Sequence, residues 1–217
     1  MEKITFRECS LTKLDKWFGI RQVDAMQTLS AWLEMPYVLS EDEKRSLLQL
    51  QRKLNKNLMH WNEYELAAHF IGPVFSFVDY TTAYFNDFGE RIISAIINNI
   101  ELTGKPDGII ASGFREPEQP FFCFHEYKPE TDPYGDPYGQ CLAAMLVGQA
   151  LNENLQPIYG CVVKGADWNF LLLEGKQYTI SRRFVADGEM LFDIFRILHS
   201  LKAILLSKAD KTKPNYE

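Results

Sequence analysis

Apolar residues recur along this chain with two different periods, and the change of period divides it. Over the first ~58 residues the spacing is helical. Val23, Met26, Leu29, Trp32 and Leu33 keep that period until Pro36 ends it. Ser40-Glu41-Asp42-Glu43 has the form of a capping box. Leu47, Leu48, Leu50 and Leu54 follow among Lys and Arg, which predicts a helix over roughly 41–57. A further helix is expected from about 62 to 70 or beyond, with Leu66, Ala67, Phe70 and Ile71 on its apolar face and Gly72-Pro73 breaking or bending it.

Beyond Thr81 the pattern becomes strand-like. An isoleucine-rich strand over 91–100, a turn at 102–105 and a returning strand over 106–111 are expected, with a polar loop over 112–119. Residues 120–128 form a third strand, apolar on both parities, as in a sheet covered on two faces. Asp-Pro-Tyr-Gly occurs twice within 131–139 and demands turns. A helix over 140–151, strands over 157–164, 168–173 and 177–180, and an amphipathic helix over 189–207 complete the pattern. The order from residue 62 is α, β, β, β, α, β, β, β, α. The organisation expected is a helical extension over 1–58 packed on a core over 59–217.

At 217 residues the chain can fill one good core, and 46% hydrophobic with 24% charged residues is an ordinary globular balance. No apolar run reaches the ~18 residues that cross a bilayer, and the first residues lack a signal-peptide core. No membrane association and a cytoplasmic location are therefore expected. Cys9, Cys123, Cys141 and Cys161 show no C-x-x-C pairing, so free, mostly buried thiols are expected rather than zinc ligands. The net charge of −6 argues against a general nucleic-acid-binding surface. Any basic patch must be local, and Lys164, Lys176, Arg182 and Arg183 are the candidates for one.

Three residues carry candidate chemistry. Asp107 opens the second strand after Pro106, and Glu126 and Lys128 stand near the end of the third, one residue apart. Period two puts Glu126 and Lys128 on one face, with Phe122 and Phe124 further down. Charges at the mouth of a core are costly unless paired or metal-bound. The carboxylates of Asp107 and Glu126 with the carbonyl of Tyr127 are hard oxygens that suit Mg²⁺. Lys128 is placed to orient or deprotonate a water and to offset charge on a phosphorane-like transition state. His125 faces the other way and reads as a core histidine, while His60, His69 and His199 have no metal-ligand spacing. Tyr134 and Tyr138 read either as base-stacking groups or as packing of a rigid loop.

Pro106-Asp107 followed by Glu126-Tyr127-Lys128, in that order of elements, resembles the PD-(D/E)XK motif over roughly residues 62–180. The chain is also similar to uncharacterised bacterial proteins of that superfamily. The resemblance implies an α/β fold with a restriction-endonuclease-like αβββαβ core, a mixed central sheet flanked by helices. It implies Mg²⁺- or Mn²⁺-dependent phosphodiester hydrolysis of nucleic acid, DNA in the first place, with RNA or another phosphodiester left open. Asp107, Glu126 and Lys128 would be catalytic, and Gln140, on the following helix, would help position the phosphate. Glu65, or else Glu63, would join Asp107, Glu126 and the Tyr127 carbonyl at the metal; Glu65 lies nearer the apolar face and is preferred. Members are often homodimers. A nuclease fold kept as a non-catalytic binding or scaffold module is the alternative, favoured by the acidic net charge.

Overall fold

The computed structural model describes residues 2–131, 135–153 and 156–209. The chain opens with a short strand, β1 (Glu2–Thr5), a 3₁₀ turn (Phe6–Glu8), helix α1 (Leu11–Phe18) and a two-residue strand, β2 (Arg21–Gln22). Helices α2 (Gln27–Glu34) and α3 (Glu41–Asn57) follow. The α3 capping box closes in both directions, with Glu43 N donating to Ser40 Oγ (3.2 Å) and Ser40 N donating to Glu43 Oε2 (2.7 Å). The expectation of an all-helical first segment fails at β1 and β2. Both are too short to show a period, and their partners lie far along the chain.

The next helix does not stop at Gly72-Pro73. It runs as α4 (Glu63–Leu66), a π-helical stretch (Ala67–Ile71) and α5 (Gly72–Val78). A proline inside an α-helix lacks one donor and clashes with the carbonyl four residues back. The widened π turn just before Pro73, with Gly72 N donating to Ala67 O, lets the helix continue to Asp79, whose φ of 55° ends it.

Strands β3 (Asn86–Gly89), β4 (Ile93–Ile97), β5 (Ile100–Gly104), β6 (Gly108–Ser112) and β7 (Glu118–Lys128) come next. This differs from the expected single strand over 91–100 with a turn at 102–105. The turn falls at Asn98-Asn99, whose φ angles of 51° and 65° suit a two-residue hairpin. The apolar run is thereby split into β4 and β5. Helix α6 (Pro137–Leu151), strands β8 (Ile158–Lys164), β9 (Asp167–Glu174), β10 (Gln177–Ile180) and β11 (Phe184–Val185), and helix α7 (Met190–Ala209) complete the chain.

The fold is mixed α/β. The main sheet has the order β2-β10-β9-β8-β7-β6-β3, with β11 paired to β9. It is mixed: β7 and β8 are parallel, joined through α6, and β3, β6 and β9 run antiparallel to their neighbours. A second sheet, β1-β5-β4, lies apart from it. Alternation along the strands divides the interior. Tyr159, Cys161 and Val163 of β8 pack with α2, α3, α4, α5 and α7, while Ile158 and Val162 pack with α6, α1 and the small sheet. Helix α6 is therefore covered all round, and every residue from Gly139 to Gln149 is buried.

One parity expectation is overturned. A bulge in β7 sets Phe121 opposite Ala111 and Cys123 opposite Ile110, leaving Phe122 as the extra residue. Phe121 and Phe124 thus face α6, and Phe122 points to the other core. Beyond the bulge, alternation puts Phe124, Glu126 and Lys128 on one face. All four cysteines are free and buried. No described helix is long and apolar enough to cross a membrane.

Candidate active site

Asp107 precedes β6, and its carboxylate takes over where the ladder to β7 ends. The last paired residues are Gly108 and His125, and just beyond them Tyr127 N donates to Asp107 Oδ2 at 2.6 Å. Glu126 and Lys128 alternate outward from the same strand end. Lys128 Nζ donates to Tyr127 O (2.7 Å) and Glu63 Oε2 (3.1 Å), and pairs with Glu126 Oε1 (2.9 Å). Glu126 is only 8% exposed at its side chain and Lys128 14%, so this is a nearly buried arrangement.

Burial, and then the neighbouring charge of Asp107, raise the proton affinity of Glu126, and the Lys128 ammonium only partly offsets them. Burial likewise raises that of Asp107, against the Tyr127 N–H and Lys128. For Lys128 burial works against charge, but Glu126, Glu63 and Asp107 together outweigh it and the ammonium is favoured. Three carboxylates thus converge on one lysine, and the deep end of the site carries an excess of negative charge. A lysine held so firmly as a cation suits charge stabilisation and water orientation, and it is a poor base.

These groups line a cavity of about 320 Å³. Its carboxylates are Glu63, Glu90, Asp107 and Glu126, and its cations are Arg7, Lys105 and Lys128. Gln140, 8% exposed on the first turn of α6, lines it as well. Asp136 caps that helix, with its side chain accepting from Gly139 N. The structure therefore brings together Asp107, Glu126, Lys128 and Gln140. It does not bring Glu65. Asn62 and Glu65 form a capping box, with Asn62 N donating to Glu65 Oε2 (3.0 Å) and Glu65 N to Asn62 Oδ1 (2.9 Å). Glu63, two residues earlier and set second on the sequence, is the glutamate at the cavity. The pattern Asn62-x-x-Glu65 was the signal that could have separated them.

Arg7, Lys105 and Glu90 escaped sequence reasoning altogether. Arg7 reaches the site because β1 pairs with β5, a contact between residues 98 positions apart that no local pattern announces. Lys105 pairs with Glu90 at 2.7 Å.

The other candidates disperse. His125 is buried, with Nδ1 3.2 Å from the Tyr127 hydroxyl and its ring 4.3 Å from that of Phe75; burial pulls its pKa down to about 3, so it is neutral. Tyr138 donates its hydroxyl to Asn169 Oδ1 at 2.9 Å, the packed reading, and Tyr134 lies outside the described residues. The expected basic patch is divided: Lys164 and Arg183 stand at one end of β9, Lys176 at the other, and Arg183 pairs with Asp167 at 3.0 Å. Arg182 lies 4.3 Å over the Phe184 ring.

Among the described residues, no three His, Cys, Asp or Glu side chains form a ready-made metal-binding group. The carboxylates of Asp107 and Glu126 line the cavity together, while Lys128 pairs with Glu126 and donates to the Tyr127 carbonyl. No protein-family model matches the chain, and no curated protein matches it significantly.

Proposed function

We propose that this chain hydrolyses phosphodiester bonds in nucleic acid, DNA in the first place, at the cavity over Asp107 and Glu126. The carrying observation is the pair of buried, mutually repelling carboxylates beside a fixed lysine at the ends of two adjacent strands. The order of elements supports a restriction-endonuclease-like core. With the β4–β5 hairpin set aside as an insertion, α4–α5, β3, β6, β7, α6 and β8 run αβββαβ, with Asp107 just before β6 and Glu126 and Lys128 at the end of β7.

The donor set suits Mg²⁺ or Mn²⁺ on an observation independent of the motif. Asp107 and Glu126 line one cavity with Glu63 and Glu90, and Glu126 is nearly buried against the single Lys128, so a divalent cation would offset an excess of negative charge there. Mg²⁺ keeps several waters and needs one or two carboxylates, so a three-side-chain cage is unnecessary. Asp107, Glu126 and the Tyr127 carbonyl would hold it, with Glu63 in the place first given to Glu65. Such an ion supplies Lewis acidity and lowers the pKa of the attacking water. The chain's own groups do the rest. The Lys128 ammonium orients water and offsets charge on the phosphoryl oxygens. The Gln140 amide donates to a non-bridging oxygen and fixes the phosphate.

The test is incubation of purified protein with plasmid, single-stranded and branched DNA, with Mg²⁺ or Mn²⁺ added. Cleavage is expected, falling at least about 100-fold in Asp107→Ala and Lys128→Ala. Cleavage that survives both substitutions sinks the assignment. A second reading, a non-catalytic nuclease-fold module, draws on Lys128 being already paired with Glu126 and Glu63. Titration with Mn²⁺ separates the two. Binding abolished by Glu126→Gln supports a working site, and absence of both binding and cleavage supports the module.

A further inference from the structure

The cavity has a wall built from residues far from the motif. β1 lies parallel to β5, from Glu2 opposite Ile100 to Thr5 opposite Thr103, and carries the 3₁₀ turn to the rim. Phe6 packs so closely on Gly104 that a Cβ there would sit 2.2 Å from its ring. The turn is pinned at both ends. Thr5 donates to Glu8 Oε2 through its backbone N (2.7 Å) and its Oγ1 (2.6 Å). Cys9 N donates to Phe6 O (3.0 Å), and Leu11 N donates to Asp136 Oδ2 (3.0 Å). Arg7 stands between these fixed points, and its backbone is a firm platform.

Four carboxylates line the cavity, so a polyanion entering it needs a cation that is not already neutralised. Lys128 is occupied by Glu126 and Glu63, and Lys105 by Glu90. Arg7 is exposed and, among the described residues, makes no ion pair and no side-chain hydrogen bond. Its planar guanidinium matches two phosphate oxygens at once, which an ammonium does not.

We propose that Arg7 is a substrate-binding residue that grips a phosphate of the nucleic-acid strand at the rim of the cavity. The inference rests on the phosphodiesterase reading above. It makes the first residues of the chain part of the site.

The experiment is fluorescence anisotropy of a short fluorescein-labelled single-stranded DNA, with Ca²⁺ as the added cation, over a range of salt. Cleavage kinetics with Mg²⁺ run in parallel. Arg7→Ala is expected to weaken binding about tenfold, and to lower the slope of log K against log salt by about one. Its KM should rise while kcat holds, and Arg7→Lys should recover part of the loss. Arg52→Ala, on the exposed face of α3, removes the same charge elsewhere and should change nothing. Thermal midpoints of all the variants check that each is folded. If Arg7→Ala binds and cleaves like Arg52→Ala while Asp107→Ala is inactive, the role of Arg7 is overturned and the phosphodiesterase reading stands. If the unsubstituted protein neither binds nor cleaves, both fall together.

Discussion

Glu126 is where folding and chemistry pull apart. Its carboxyl is buried beside Asp107, and the fold holds its proton more tightly than an unfolded chain does. A group with a raised folded-state pKa contributes stability that is complete below its unfolded value of 4.5 and is lost as pH climbs through the folded value. His125 has the opposite sign. Its pKa is depressed, so its contribution is present above 6.5 and lost as pH falls. Comparing one variant with the parent isolates Glu126 from His125. Glu126→Gln is expected to raise the thermal midpoint at pH 8 by about 2–4 °C, with the gain vanishing below pH 4.5. Added Mn²⁺ should raise the parent's midpoint at pH 8 and leave the variant's unchanged. A flat difference between parent and variant across pH would contradict this account. The sequence made Asp107, Glu126 and Lys128 legible because strand alternation is local. Glu63 was legible only in part, since a cap and a cavity compete for glutamates on the same helical turn.

Elements were readable where period and punctuation agree. Helix α3 and strand β10 fall where they were expected, because Ser40-x-x-Glu43 and Glu174-Gly175-Lys176 are strong local signals. The β4–β5 hairpin was misread because Gly104 is a louder signal than Asn98-Asn99. The structure makes Gly104 a packing site for Phe6 instead of a turn. Asn98 and Asn99 bear the left-handed conformation themselves. Asn99→Gly should therefore leave the denaturation midpoint unchanged or raise it. Asn99→Val should cost about 1–2 kcal/mol in urea unfolding, the penalty of a left-handed residue with a branched side chain. Equal effects of the two would show that the turn is not under that constraint. The π-helical stretch was illegible for a related reason. Pro73 reads as a break or bend, and the π turn that carries the helix through it is held by packing of Phe70, Ile71, Val74 and Phe75 in one core.

At the scale of the molecule, the net charge of −6 misleads if read as a uniform property. The acidic groups of α3 sit in its first turn, where Lys44 and Arg45 answer Glu41 and Asp42 on the surface. The acidity of the cavity is a separate matter, and its rim is supplied by another part of the chain. Whole-chain composition reports neither. Residues before position 58 share an interior with the rest of the chain: Ile4, Phe6, Leu14 and Phe18 pack with Phe124 and α6.

The pairing of β1 with β5 also sets an order of events. Lys3 and Glu101 are 98 positions apart, so this ladder closes one of the long loops of the fold, whereas hairpins such as β4–β5 and β8–β9 close short ones. A growing polypeptide must hold β1 unpaired until residue 103 has been made. On refolding, the β-hairpin signal should recover before the proposed nucleic-acid binding does, which stopped-flow circular dichroism and anisotropy can time side by side. The molecule would then acquire its hairpins first and the wall that carries Arg7 last, and nascent or partly folded chains would lack that side of the cavity.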